Sequence, residues 1–179
     1  MTGPALPELR TARLLLRPFQ PADAAGVQRL AGDRAIAENT LTVPHPYPDG
    51  AAEAWIATHA GAYAEGKRAT FAVTLAGEAT LVGAIGLDIT AADRRAELGY
   101  WIGRPWWNRG FATEAGRAVL EFGFGPLGLH RIMARHFLRN PASGRVIEKL
   151  GMEREGVLRH HALKWGVFED LAVCSVLAG

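Results

Sequence analysis

The segment AELGYWIGRPWWNRGFATEAGRAVLEF, residues 96–122, constrains the fold more than any other part of the chain. Its first eight residues read as a strand. A turn carrying Pro105 and Gly110 follows, and then a helix with Phe111, Ala115, Ala118, Val119 and Phe122 on helical spacing. The first turn of a helix leaves backbone N–H groups without partners at the positive end of the helix dipole, and anions are attracted there. Gly110 lets a ligand approach the backbone without meeting a Cβ, and Ala112 is small for the same purpose. Arg109 adds charge, and Thr113 either caps the helix or bonds a phosphate. No Gly-Lys-Ser/Thr follows, so the turn is not a nucleotide P-loop. No Gly-x-Gly-x-x-Gly follows a first strand, which argues against a dinucleotide-binding fold. With nothing bound, the same residues describe a capped helix with Thr113 as N-cap.

The flanking sequence predicts a single domain of alternating elements. RLLLRPF (13–19) reads as a strand and PADAAGVQRLAGD as a helix with Pro21 and Asp23 near its start. TLTVPHPYPDG (40–50) holds three prolines and a glycine and must be irregular, a loop long enough to serve a site. AAEAWIATHAGAYAEG is a second helix, with Trp55, Ile56 and His59 near one face and Gly66 as its stop. FAVTL (71–75) and LVGAIGLDI (81–89) form a hairpin across AGEAT, and AELGYWIG is a third strand in succession. HRIMARHF (130–137) is a strand, and NPASGRVIEKLGM a helix with Asn140 as N-cap, Pro141 at its first position and Gly151 as a left-handed stop. HHALKWGVFEDLAVCSVL closes the chain as two strands joined at Lys164–Gly166. The order βααβββαβαββ predicts an α+β (mixed α/β) sheet with helices on its faces. Residues 1–10 are expected to be a flexible tail.

The 179 residues suffice for one core without staples. Cys174 is the only cysteine, so no internal disulfide forms, which fits a reducing compartment. The N-terminus lacks a charged region followed by an apolar stretch, and no apolar run reaches the length of a membrane span. A cytoplasmic location without membrane contact is expected. The net charge is +2, and the arginines are scattered rather than striped, which argues against a nucleic-acid partner. The six histidines show no metal-ligand spacing, so no metal is expected. His45, in the proline loop, is the one that can border an acceptor pocket.

TARLLLRPFQPADA, ELGYWIGRPWWNRGFATEA, NPASGRVIEKLGM and KWGVFEDLAVCSVL resemble, in that order, the GNAT-superfamily acetyltransferases, closest to the RimJ/RimL-type N-acetyltransferases. The similarity runs from about Thr11 to Leu177. The resemblance implies the GNAT fold: a single mixed, mostly antiparallel central sheet with a splay between its two central strands. It also implies acetyl transfer from acetyl-CoA to a primary amine, by direct attack on the thioester. The acceptor is a protein N-terminal α-amine or a small-molecule amine. In such a family the backbone of Arg109, Gly110, Phe111, Ala112 and Thr113 cradles the pyrophosphate of coenzyme A. The strand around Tyr100, Trp101 and Ile102 pairs with the amides of pantetheine, much as an added strand does. Trp107 stands where the superfamily pattern has Arg or Gln, so one phosphate contact is open, for Arg109 or Arg145 to supply.

The chemistry needs an uncharged amine, a polarised carbonyl and a donor for the departing thiolate. Glu97, at the start of the central strand, is the candidate base acting through water; it reads equally as an ion-paired carboxylate with Arg94 or Arg95. Where many GNAT enzymes carry an acidic tyrosine, this chain has Ile147. The RimJ/RimL-type resemblance points instead to Ser143, which otherwise reads as a helix-start serine bonding its own backbone. Asn140 both caps its helix and offers an amide to pantetheine. Arg145 is either a phosphate ligand or a solvated helix arginine. Trp101 is the tryptophan placed near the acceptor. A non-catalytic acyl-CoA-binding module on the same fold is the alternative, and a homodimer is a fair expectation.

Overall fold

The computed structural model describes residues 5–179. One sheet of eight strands runs through it. In chain order the strands are β1 (Leu9–Arg10), β2 (Leu14–Pro18), β3 (Arg68–Leu75), β4 (Leu81–Thr90), β5 (Arg95–Ile102), β6 (Arg131–Phe137), β7 (Glu153–Lys164) and β8 (Val167–Leu177). The helices are α1 (Ala24–Ala31), α2 (Arg34–Glu38), α3 (Ala51–Ala57), α4 (His59–Ala64), α5 (Phe111–Phe124) and α6 (Pro141–Lys149). Spatial order is β1-β2-β3-β4-β5-β6-β8-β7, and every neighbouring pair is antiparallel except β5 and β6. This is the mixed, mostly antiparallel sheet expected from the sequence, with helices on both faces.

The two faces follow from alternation along each strand. Leu14, Leu16, Phe71, Val73, Ile85 and Leu87 point to one side, where Phe111, Ala115, Val119 and Phe122 of α5 and Ile147 of α6 cover them. Phe71 meets Phe122 edge-on at 5.6 Å between ring centres. Truncating such a fully buried phenylalanine to alanine costs about 3–5 kcal/mol. Ala72, Ala84 and Trp101 point to the other side, against Val27 and Leu30 of α1, Ile36 of α2 and Ile56 of α3. Among the described residues no helix is long and apolar enough to cross a membrane.

Several boundaries differ from the sequence expectation. Leu9 and Arg10 are not tail: they pair with Leu16 and Leu15 as the outermost strand at one edge. Residues 1–4 of that expected tail lie outside the described residues. The helix expected over 51–66 breaks at Thr58, whose hydroxyl donates to the Trp55 carbonyl at 2.7 Å, a back-bond that bends helices. α2 was not expected; its N-cap, Asp33, accepts from the Ala35 amide at 2.9 Å. β7 begins at Glu153, earlier than expected, and forms the other edge. Its pairing with β8 shifts register between Leu158 and Ala162, where His160 takes a positive φ of 49°. That bulge interrupts the ordinary alternation of side chains at His160 and His161. His160 stacks on Phe168 at 5.7 Å, and His161 Nε2 lies 3.0 Å from Arg135 Nη1.

Candidate functional site

The parallel pairing of β5 with β6 runs only from Arg95–Arg131 to Glu97–Met133. Beyond Glu97 the two strands diverge. The Gly103 amide donates to the Val82 carbonyl at 2.8 Å, so odd-numbered residues of β5 bond to β4. The backbone groups of Leu98, Tyr100 and Ile102 therefore turn toward the gap. Trp101 does not share this orientation: its backbone is committed to β4, a correction to the expectation that Tyr100, Trp101 and Ile102 offer their backbones alike. The Ile102 carbonyl accepts from Trp107 Nε1 at 2.6 Å. Trp107 is thus the cap of the central strand, which gives a structural reason for an indole at that position.

α5 begins beside the end of β5. Gly110, not Thr113, is its N-cap, with φ 78° and no side-chain cap bond. Asn108 is also left-handed, with φ 60°. Two left-handed residues around Arg109 make a tight turn whose following amides, of Phe111, Ala112 and Thr113, are first-turn donors. Arg109 itself lies over the Trp106 ring, 5.1 Å from its centre. Arg13, a residue sequence reasoning missed, lies over Phe111 at 4.8 Å and pairs with Glu114 at 2.6 Å. Glu114 also accepts from Thr11 Oγ1 at 2.6 Å and the Arg13 amide at 2.9 Å. Burial opposes ionisation of this carboxyl, but the bonds from Thr11 and Arg13 hold it below its ordinary range. Together they tie β2 to the start of α5.

A cavity of about 370 Å³ opens in front of this turn. Tyr100, Trp101 and Ile102 form its strand wall; Gly110, Phe111, Ala112 and Thr113 form its helix wall. Asn140, Ser143 and Arg145 close it from α6. Of the residues expected at the coenzyme, only Arg109 is off this wall. Asn108 and Lys149 are on it and were not anticipated. Lys149 sits one helical turn beyond Arg145 and is a second cation on the same face of α6.

A second cavity, of about 320 Å³, lies toward the α1–α3 face. Its floor is the cross-strand pair Gly86–Gly99. A Cβ at Gly99 would meet nothing within 4 Å, so the glycine leaves the trough open. At one end stand two ion pairs, Arg68–Asp88 and Glu97–Arg135. Glu97 accepts from Arg135 with both oxygens, at 2.8 and 2.9 Å. Glu97 is therefore ion-paired, and its partner is Arg135 rather than Arg94 or Arg95: Arg94 donates to the Gly128 carbonyl and Arg95 pairs with Asp93. Thr40, Leu41, Thr42 and Val43 of the proline loop form the rim. His45 is not on this wall; its Nδ1 lies 3.2 Å from the Gly32 carbonyl.

Trp55 also lines this cavity. The His59 ring packs edge-on against Trp55 at 4.4 Å and Phe19 at 5.3 Å. It is buried, and neither ring nitrogen has a hydrogen-bond partner among the described residues. Burial, with a smaller contribution from the Arg68 charge, pushes its pKa down to about 4.

The two cavities share Asn39, Thr40, Tyr100, Trp101 and Ser143 as walls. At this junction the Tyr100 and Ser143 hydroxyls are 2.8 Å apart. Asn140 caps α6 by accepting from the Ser143 amide at 3.1 Å. The Ser143 hydroxyl is bonded to Tyr100 and not to its own helix backbone. Burial, partly offset by the bond to Ser143, pushes the Tyr100 phenol up to about 12. The arrangement is two pockets on opposite sides of a split sheet, joined at a pair of neutral hydroxyls, with the start of α5 on one side only.

The family described as Acetyltransferase (GNAT) domain matches residues 13–153. The chain is 33% identical over 177 residues to the uncharacterized N-acetyltransferase YoaA of Bacillus subtilis, covering 96% of this chain and 97% of that one. The crystal structure of a GNAT-family acetyltransferase from Bacillus anthracis superposes with a TM-score of 0.85 at 29% identity, over 96% of this chain and 98% of that one. Mycobacterium smegmatis RimJ in complex with CoA-disulfide superposes with a TM-score of 0.83 at 26% identity, over 96% of this chain and 86% of that one. Sequence motifs, strand order and these relatives converge: the chain belongs to the GNAT acetyltransferase family and, within it, is similar to the RimJ-type enzymes.

Proposed function

We propose that this N-acetyltransferase moves the acetyl group of acetyl-CoA directly to an α-amine, in a complex where both substrates are present together. The observation that carries the reading is the junction of the two cavities at Tyr100 and Ser143, reached from opposite sides of the sheet. Acetyl-CoA supplies the thioester carbon that the amine attacks. The first-turn amides of Phe111, Ala112 and Thr113, with Gly110 keeping the approach open, hold the pyrophosphate. Arg109, Arg145 and Lys149 add positive charge around it. The gap-facing backbone of Tyr100 pairs with pantetheine, and Asn140 adds its amide beyond the cap it makes.

The amine enters over Gly86 and Gly99. A free α-amine has a pKa of roughly 7.7–8.0 against roughly 10.4 for a lysine side chain, so near neutrality it needs little help to lose its proton. Both carboxylates at the cavity end, Asp88 and Glu97, already hold an arginine. Such a site suits an amine that needs a weak base, an N-terminal residue or an amino acid, better than a lysine side chain. Glu97 keeps a lone pair on each oxygen free of Arg135 and receives the amine's proton through water. Ser143 donates to the departing sulfur.

The test is release of free thiol from acetyl-CoA with a panel of peptides, amino acids and lysine-blocked or α-blocked derivatives. Turnover with free α-amines and none with α-blocked acceptors is expected. Tight coenzyme binding with no turnover on any acceptor would instead favour a non-catalytic acyl-CoA-binding module.

A further inference from the structure

We infer that Tyr100 is a positioning residue for Ser143, fixing the direction in which the serine hydroxyl donates; this rests on the acetyl-transfer reading above. Tyr100 sits on β5 and Ser143 in the first turn of α6, two elements that no strand pairing connects at this level. Their hydroxyls, 2.8 Å apart, span the split in the sheet. A serine hydroxyl has one proton and two acceptor lone pairs, and a phenol has one proton to give. When the phenol donates to Ser143 Oγ, the serine proton is left free to point into the junction of the two cavities. When the serine donates instead, its proton is spent on the phenol, whose own proton then has only the Ser143 carbonyl, 3.5 Å away and beyond good hydrogen-bond length. The phenol is the stronger acid and the serine oxygen the better acceptor, which favours the first arrangement. Burial keeps the phenol protonated across the working pH range, so it stays a donor.

The consequence falls on the leaving group. As the amine nitrogen bonds the acetyl carbon and the carbon–sulfur bond breaks, the electron pair goes to sulfur. Ser143 gives its proton to that sulfur and recovers one from water, while the amine's surplus proton leaves through water to Glu97. Tyr100 keeps its proton throughout. Its part is to remove the rotational freedom of the serine O–H before the reaction begins, an entropy otherwise lost in the transition state.

The experiment compares wild type, Tyr100→Phe, Ser143→Ala and the double variant. Readouts are kcat and KM for the best acceptor, acetyl-CoA affinity by calorimetry, and thermal melting. Tyr100→Phe is expected to lower kcat by about tenfold, the worth of one hydrogen bond lost in the transition state. Acetyl-CoA affinity and acceptor KM stay within about twofold, since no contact with either substrate is removed. The double variant should be no slower than Ser143→Ala alone, because the phenol acts only through the serine. A kcat unchanged in Tyr100→Phe, or losses that multiply in the double variant, overturns the inference. If the phenol only braces the split, coenzyme affinity and melting temperature fall instead, with kcat at saturation unchanged. Lack of turnover by the wild type on every amine would count against the acetyl-transfer reading itself, and the unchanged coenzyme affinity of Tyr100→Phe would still be measurable.

Discussion

His59 should make the protein acid-sensitive at a pH where its carboxylates are still ionised. The ring is buried between Trp55 and Phe19, without a partner for either nitrogen among the described residues. Its folded pKa of about 4 lies below the ordinary 6.5. A histidine depressed on folding binds its proton more readily in the unfolded chain. Its contribution is therefore present above pH 6.5 and is lost as pH falls toward 4. The full window corresponds to about 3 kcal/mol, of which about 2 kcal/mol is lost between pH 7 and pH 5. Asp23, Glu114 and Glu155 also titrate low when folded, but their losses begin around the ordinary carboxylate range and are common to wild type and variant. His59→Phe keeps an aromatic ring against Trp55 and removes the proton. Urea unfolding of both proteins at pH 7, 6 and 5 tests the idea. The wild type should lose about 2 kcal/mol more than the variant over that range, and the variant should match or exceed it at pH 7, because two unsatisfied nitrogens are gone. Parallel decline of the two proteins would refute the reasoning.

Two further substitutions probe the two cavities. Gly110→Val places a β-branched residue at φ 78°, so the variant should melt several degrees lower and lose acetyl-CoA binding; a folded variant with wild-type affinity would remove the turn from the coenzyme site. Glu97→Gln should lower kcat at pH 7 by about tenfold or more, with the deficit shrinking near pH 9, where an α-amine is already neutral. A deficit constant across that range would leave Glu97 as a structural partner of Arg135 alone.

The parts of the fold that were legible are those whose signal is local. β5 and α5 carry their own periods, and Gly110 and Gly151 stand where a left-handed turn is needed. α2 was missed because RAIAE is too short to show a period. The first half of β7 was missed because it is an edge strand with almost every residue exposed, so no apolar alternation marks it. Most residues expected at the coenzyme fall on one cavity wall, Arg109 excepted, because they lie on two contiguous segments, 100–113 and 140–145. What escaped was long-range: Arg135 reaching Glu97 across 38 positions, Arg13 reaching Glu114 across 101, and Tyr100 reaching Ser143 across 43. Nothing in a single sequence links such pairs, since a side chain chooses its partner only after the sheet has brought the strands together.

The displaced register of the edge strand β7 has a bearing on self-assembly. A straight outer rim of unpaired amides is a template on which further chains can build. β7 instead turns aside between Leu158 and Ala162, and there His160 gives its amide to Asp170 at 2.7 Å. Arginine, glutamate and histidine side chains crowd the remainder of that rim. An incoming copy would have to iron out the kink and surrender that bond before it could dock strand to strand. Growth past β7 is thereby discouraged, which leaves helices, loops and the far edge at Leu9–Arg10 for any association between copies.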